Sequence, residues 1–102
     1  MVDFVRSTSR FPLGQVVATP AALEAIEQAG QSPVEFLDRH VRGDWGELSA
    51  EDRQLNDSAV ECGSRILSAY RTNSGTKIWI ITEAADDDGQ RAATTILLPE
   101  EY

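Results

Sequence analysis

Apolar residues cluster with two different periods along this chain, and the clearest cluster is Lys77 to Glu83, K-I-W-I-I-T-E. It is the densest run of β-branched and aromatic residues, a composition that packs well on a pleated surface and predicts a strand. Ile78 and Ile80 point to one face, Trp79 and Ile81 to the other. Apolar residues on both faces predict a central strand covered on each side, with Trp79 in the core. Runs at 64–71 (S-R-I-L-S-A-Y-R) and 94–98 (T-T-I-L-L) complete an antiparallel meander. Asn73 and Gly75, in the link T-N-S-G-T, suit a hairpin because both tolerate positive φ. The second link holds Asp86, Asp87, Asp88 and Gly89; adjacent like charges stay solvated, so an exposed, mobile loop is expected.

Upstream the period changes to that of helices. Thr19-Pro20 supplies an N-cap and a first-turn proline, and Gly30 a left-handed stop, with Leu23, Ile26 and Ala22 or Ala29 on the apolar stripe. Ser32-Pro33-x-Glu35 repeats the device as a capping box; Val34, Leu37 and Val41 form the face, with Phe36 offset, and Gly43 ends the helix. Ser49-x-x-Asp52 opens a third helix that Gly63 closes. Its apolar arc is Leu55, Ala59 and Cys62, opposite Arg53, Asn56, Asp57 and Glu61.

This order predicts an α+β fold: three short helices packed on a small antiparallel sheet, the meander 64–98 being its centre. Residues 14–18 are a candidate fourth strand, with Pro12 confining them to an edge. Residues 11–102 form one domain. Residues 1–10 mix charge, Ser and Thr with Val2, Phe4 and Val5 and are expected to be a loosely held tail.

Charge adds a constraint. Seventeen acidic against nine basic residues give a net charge of −8. That field disfavours direct nucleic-acid or anionic-membrane binding, which needs Lys and Arg, and favours a protein partner with a basic surface. No apolar run reaches the roughly 18 residues of a membrane span, and the N-terminus lacks a signal-type apolar core. The lone Cys62 leaves no internal disulfide and fits a cytoplasmic setting.

Chemistry-bearing residues are few. His40 is the only histidine; it is a general-base candidate, or a cationic residue favoured by the dipole at a helix C-terminus. Cys62, at a helix C-terminal end, reads as core. Asp86, Asp87 and Asp88 lack the alternating spacing and distal Glu of a calcium loop. Trp45, between glycines in G-D-W-G, is either a lid over the core or an exposed contact; if exposed, it is the leading interface anchor. No cofactor or metal motif is present.

The runs G-D-W-G (43–46), E-D-R-Q-x-N (51–56), R-I-L-S-A-Y (65–70), K-I-W-I-I-T-E-A (77–84) and T-T-I-L-L-P-E-E-Y (94–102) resemble a group of short bacterial proteins encoded on plasmids, integrative elements and prophages. The stretch Ala84 to Ala93 is longer and more acidic here than in that group. The resemblance implies an accessory role on mobile DNA and no particular reaction. The expectation is a non-enzymatic, acidic, protein-binding module, in its sharper form an inhibitor of a host nucleic-acid-handling defence complex by charge mimicry. Trp45, Asp57, Glu61, Asp86, Asp87 and Asp88 are its candidate partner-binding residues. Two other readings stand beside it: a small toxin-like enzyme using His40 with carboxylates, and a structural or antitoxin-like subunit that pairs, as a homodimer for example, through a strand edge.

Overall fold

A computed structural model describes residues 9–102. Most of the tail expected at 1–10 lies outside the described residues; its described end is held, Arg10 N–H donating to the Val41 carbonyl at 2.8 Å. Strand β1 (Gln15–Ala18) leads into helices α1 (Pro20–Gln28), α2 (Pro33–Val41) and α3 (Ala50–Cys62). Strands β2 (Ile66–Arg71), β3 (Lys77–Thr82) and β4 (Ala93–Leu97) follow, and a short 3-10 turn, Pro99–Glu101, ends the fold. The class is α+β, with the antiparallel β2-β3-β4 meander intact. The fourth strand is present but makes the sheet mixed: β1 runs parallel to β4, in the order β1-β4-β3-β2.

The caps form at the expected residues. Thr19 Oγ1 accepts from Ala22 N–H, Ser32 Oγ from Val34 N–H and Ser49 Oγ from Asp52 N–H. Glu35 does not close a capping box; its carboxylate accepts from the Gln31 side-chain amide instead.

One sheet face carries Tyr70, Ile78, Ile80 and Ile96, and Ala22, Ile26 and Phe36 from α1 and α2 pack on it. A second cluster of Phe11, Trp45, Ala59 and Ile66 lies under α3. Among the described residues, neither core cluster places an α-helix on the opposite face. Trp79 is therefore half-exposed there rather than core, its ring edge-on to Tyr102 at 5.7 Å. Arg65 in turn lies over the Tyr102 ring. The strand is central in its sheet, but among the described residues the helices of the core clusters cover it on one side alone.

Helix α3 sits one residue out of the register its apolar residues suggest. Asn56 faces the sheet: its amide donates to the Leu67 carbonyl at 2.7 Å and accepts the Leu67 N–H at 3.3 Å, standing in for a neighbouring strand along β2. That turn of the helix sends Leu55 outward, 67% exposed. On α2, likewise, Phe36 and Val41 are buried and Val34 is exposed. Replacing Asn56 by Ala leaves both Leu67 backbone groups unpaired at a half-buried edge. A destabilisation of about 2 kcal/mol is expected in urea unfolding, from two lost hydrogen bonds at about 1 kcal/mol each. A loss under about 0.5 kcal/mol, the range of an ordinary surface change, would show that water replaces the amide there.

The G-D-W-G turn closes the rest of that edge. Ala69 N–H donates to the Trp45 carbonyl and Glu47 N–H to the Ala69 carbonyl, at 3.1 and 2.7 Å. Only glycine fits between them, since a Cβ on Gly46 would lie 1.9 Å from the Ala69 oxygen and φ there is +77°.

Candidate functional site

Of the residues singled out by charge, Glu61 and the turn of Asp86, Asp87 and Asp88 come together at the C-terminal end of α3, and Arg91 ties that turn to the helix. It lies in the acidic link between β3 and β4, yet it is 5% exposed. Its guanidinium donates to the carbonyls of Ser64 (2.8 Å), Glu83 (3.0 Å) and Ala59 (2.9 Å) and lies over the Phe11 ring. Those carbonyls belong to the end of α3, the approach to β2 and the exit from β3. Among the described residues no carboxylate lies within 4.0 Å of it. Burial holds its pKa below the usual arginine value.

Arg91 also anchors the acidic turn. Ala85 and Arg91 form a bridge, and Ala85 N–H donates to the Gly63 carbonyl at 2.7 Å. Asp86 Oδ1 accepts from the N–H groups of Asp88 and Gln90, both at 2.9 Å. The link is exposed as expected, but it is a hydrogen-bonded turn rather than an open loop. Asp86 helps to shape it, and Asp87 and Asp88 project from it.

The turn and α3 bound a cleft of about 290 Å³ lined by Arg10, Phe11, Glu61, Cys62, Asp86, Asp87 and Arg91 among others. Glu61, Asp86 and Asp87 thus meet on one rim, and Asp88 extends the same turn. Cys62 is exposed on that rim, contrary to its reading as core; the space beneath the last turn of α3 is taken by Arg91 instead. A contact with the Ser64 hydroxyl, at 3.2 Å, draws its thiol pKa below the usual value. The outer face of α3 continues the acidic rim through Ser58 to Glu51 and Asp52, with Leu55 among them.

Two candidates take other roles. Trp45 is 4% exposed, a lid over the second cluster rather than a surface contact. Its indole N–H donates to Asp57 Oδ1 at 3.1 Å, and Arg10 donates to the same oxygen at 3.2 Å. The indole bond, with Arg10, holds the Asp57 carboxyl below its ordinary pKa. Asp57 therefore ties Arg10 and Trp45 to α3, while its side chain stays open to solvent.

His40 is not a surface cation, and no described acid pairs with it. It is fully buried, with Nδ1 2.6 Å from Ser68 Oγ and Nε2 2.9 Å from Thr82 Oγ1. Thr82 Oγ1 is 2.7 Å from Thr94 Oγ1, which donates to the Leu13 carbonyl. That carbonyl can only accept, so each proton along the chain is placed. Thr94 donates to Leu13, Thr82 donates to Thr94, and His40 Nε2–H donates to Thr82, which leaves Nδ1 to accept from Ser68. Burial, helped by the charge of Arg91, pushes the ring pKa down to about 3. A neutral imidazole bonded to hydroxyls and closed from solvent pins α2 to three strands.

Among the described residues, no group of three or more His, Cys, Asp or Glu is placed to hold a metal ion, and no helix is long and apolar enough to cross a membrane. Sequence reasoning passed over Arg91 and placed Leu55 and Asn56 on the wrong faces of their helix, Leu55 inside and Asn56 outside. Arg91 had one signal, as the lone cation beside three aspartates. The chain matches no family model, no curated protein and no solved structure.

Proposed function

We infer that this protein is an acidic, non-enzymatic protein-binding module whose contact surface is the outer face of α3 together with the turn at 85–91. The observation that carries this reading is the unequal placement of charge. Arg10, Arg39, Arg42 and Arg71 are each paired with an internal carboxylate, and Arg91 is buried on backbone carbonyls. Glu61, Asp86 and Asp87 meet at one rim, Asp88 extends the same turn, and among the described residues none of the four forms an ion pair, although Arg10 and Arg91 line the cleft beneath them. The outward field there is negative, suited to a basic protein surface, and Leu55 supplies an exposed apolar contact within it. The resemblance to proteins of mobile elements supports the setting: an accessory factor acting inside the bacterial cell. Its sharper form is occupation of a basic nucleic-acid channel in a host defence complex by charge mimicry.

Affinity capture of the tagged chain from bacterial host lysate, with and without nuclease, tests it. The expected catch is a nuclease-resistant, basic nucleic-acid-handling complex. Changing Asp86, Asp87 and Asp88 together to Lys is expected to weaken the purified interaction by at least about 100-fold, and Leu55→Ser by about 10-fold. Raising salt from about 0.05 to 0.5 M should weaken it further, since exposed charges are screened. Equal capture by the triple Lys variant, or a complex indifferent to salt, would overturn the charge-mimicry reading.

A further inference from the structure

The two edges of the sheet are built differently. On the β2 side the outward backbone groups of Leu67 and Ala69, at the middle of the strand, are taken, Leu67 by the Asn56 amide and Ala69 by Trp45 and Glu47. On the β1 side no described residue takes them. Gln15 N–H donates to the Ala92 carbonyl and Thr19 N–H to the Ile96 carbonyl. With the register Gln15 to Ala93 and Ala18 to Ile96, residues 15, 17 and 19 turn their backbone groups towards β4. Val16 and Ala18 therefore turn theirs outward, and no described residue pairs with them. The side chains of the strand are open as well, Val16 at 43% and Val17 at 41%, one on each face.

An exposed edge carrying β-branched residues and no charged or proline interruption is a template for another strand. What distinguishes this edge is that its own strand is uncharged, with one carboxylate, Glu101, on the Thr19 hydroxyl just past its end. Residues 11–23 carry no charged side chain, the longest such run in a chain of net charge −8. Like-charged copies repel wherever their acidic faces meet, so the uncharged edge is where two copies approach at least electrostatic cost. The edge is also self-complementary. An antiparallel pair about a two-fold axis at Val16 sets each Val16 opposite its counterpart as a hydrogen-bonded pair, with Gln15 opposite Val17.

We propose that β1 is a self-association edge, pairing with β1 of a second copy to join two four-stranded sheets into one continuous sheet. Pairing through so short a strand buries little beside the roughly 1,200–2,000 Å² of a standard stable interface. The dimer is accordingly weak, with dissociation in the range of about 10 μM to 1 mM. It also responds to salt in the direction opposite to the acidic contact surface, because screening relieves the repulsion between copies. This inference stands independently of the proposed function.

Sedimentation equilibrium of the full chain from about 5 μM to 1 mM, at low and high salt, tests it. A two-fold dimer is expected, tighter at high salt. Val16→Pro removes only an outward N–H, and Val16→Lys sets like charges opposite one another across the axis; each is expected to weaken association at least about 10-fold. Unchanged thermal melting of the dilute variants shows that the strand still pairs with β4; should Val16→Pro unfold, Val16→Lys carries the test. A chain monomeric at 1 mM, association indifferent to Val16→Lys, or a dimer dispersed by salt would each overturn the proposal. So would an edge that binds an added strand peptide while the chain itself stays monomeric.

Discussion

Lowering the pH from about 7.5 to 5 should destabilise the fold by about 2 kcal/mol, with His40 responsible for most of the loss. In the folded chain its ring titrates near 3 against 6.5 when unperturbed. Between those values the unfolded chain binds a proton that the folded chain refuses. Stability therefore rises with pH in this window, is complete above about 6.5, and is lost at about 1.4 kcal/mol per unit below it. The window above pH 5 isolates this effect, because the carboxyls of Asp44 and Asp57 are held below their usual values and contribute only at lower pH. Urea unfolding at stepped pH measures it. His40→Gln keeps a donor and an acceptor but cannot titrate, so its curve should be flat from pH 7.5 to 5 while lying lower throughout. His40→Ala removes the ring, opens a cavity and leaves Ser68 and Thr82 without their shared partner. A loss of about 3–5 kcal/mol at pH 7.5 is expected. An equal acid slope in His40→Gln would place the titration elsewhere. The ¹⁵N shifts of the wild-type ring should report the neutral Nε2–H tautomer.

Replacing Arg91 by Leu should cost about 3–4 kcal/mol, although an arginine in an acidic surface turn would ordinarily be dispensable. Three backbone carbonyls share its two terminal nitrogens. Removing the donor leaves them unpaired, at about 1–3 kcal/mol for each group that water cannot reach. The cleft beside them admits water to some, which keeps the expected loss near the lower end of the sum. Arg91→Lys retains the charge but not the planar fork, so about half of the loss should remain. Arg91→Leu should also reduce the acid sensitivity, since the nearby guanidinium is one of the two causes that lower the His40 pKa. Denaturation of both variants at pH 7.5 and 5 checks both effects. A change below about 0.5 kcal/mol in Arg91→Leu would show that α3 and the two strands hold together without it.

The elements were legible because their causes are local. Thr19, Ser32 and Ser49 cap helices through bonds within a few residues of themselves, and K-I-W-I-I-T states its own strand. The antiparallel pairing of β2 with β3 follows from the short turn-rich link at 72–76, and β4 follows β3 through a single polar turn. Faces were less legible. Leu55, Val34 and Cys62 were expected inside and lie outside, while Asn56 and His40 lie inside. Periodicity counts apolar side chains, whereas these helices are oriented by polar groups that find partners in the sheet. Trp79 was misplaced for a related reason: an apolar strand face does not say whether a helix or only the chain end will lie over it.

Sequence alone therefore determined the inventory of elements, the meander, the charge and the exposed aspartate turn, since each depends on neighbours along the chain. Tertiary structure decided which acids share a rim, that Trp45 is a lid, that His40 stays neutral, and which sheet edge is left open. Each of these depends on partners distant in sequence. Asn56 meets Leu67, His40 meets Ser68 and Thr82, and Arg91 meets Ala59 only after the helices have settled on the sheet. Burial then makes an unpaired polar group costly, and that cost selects the partner.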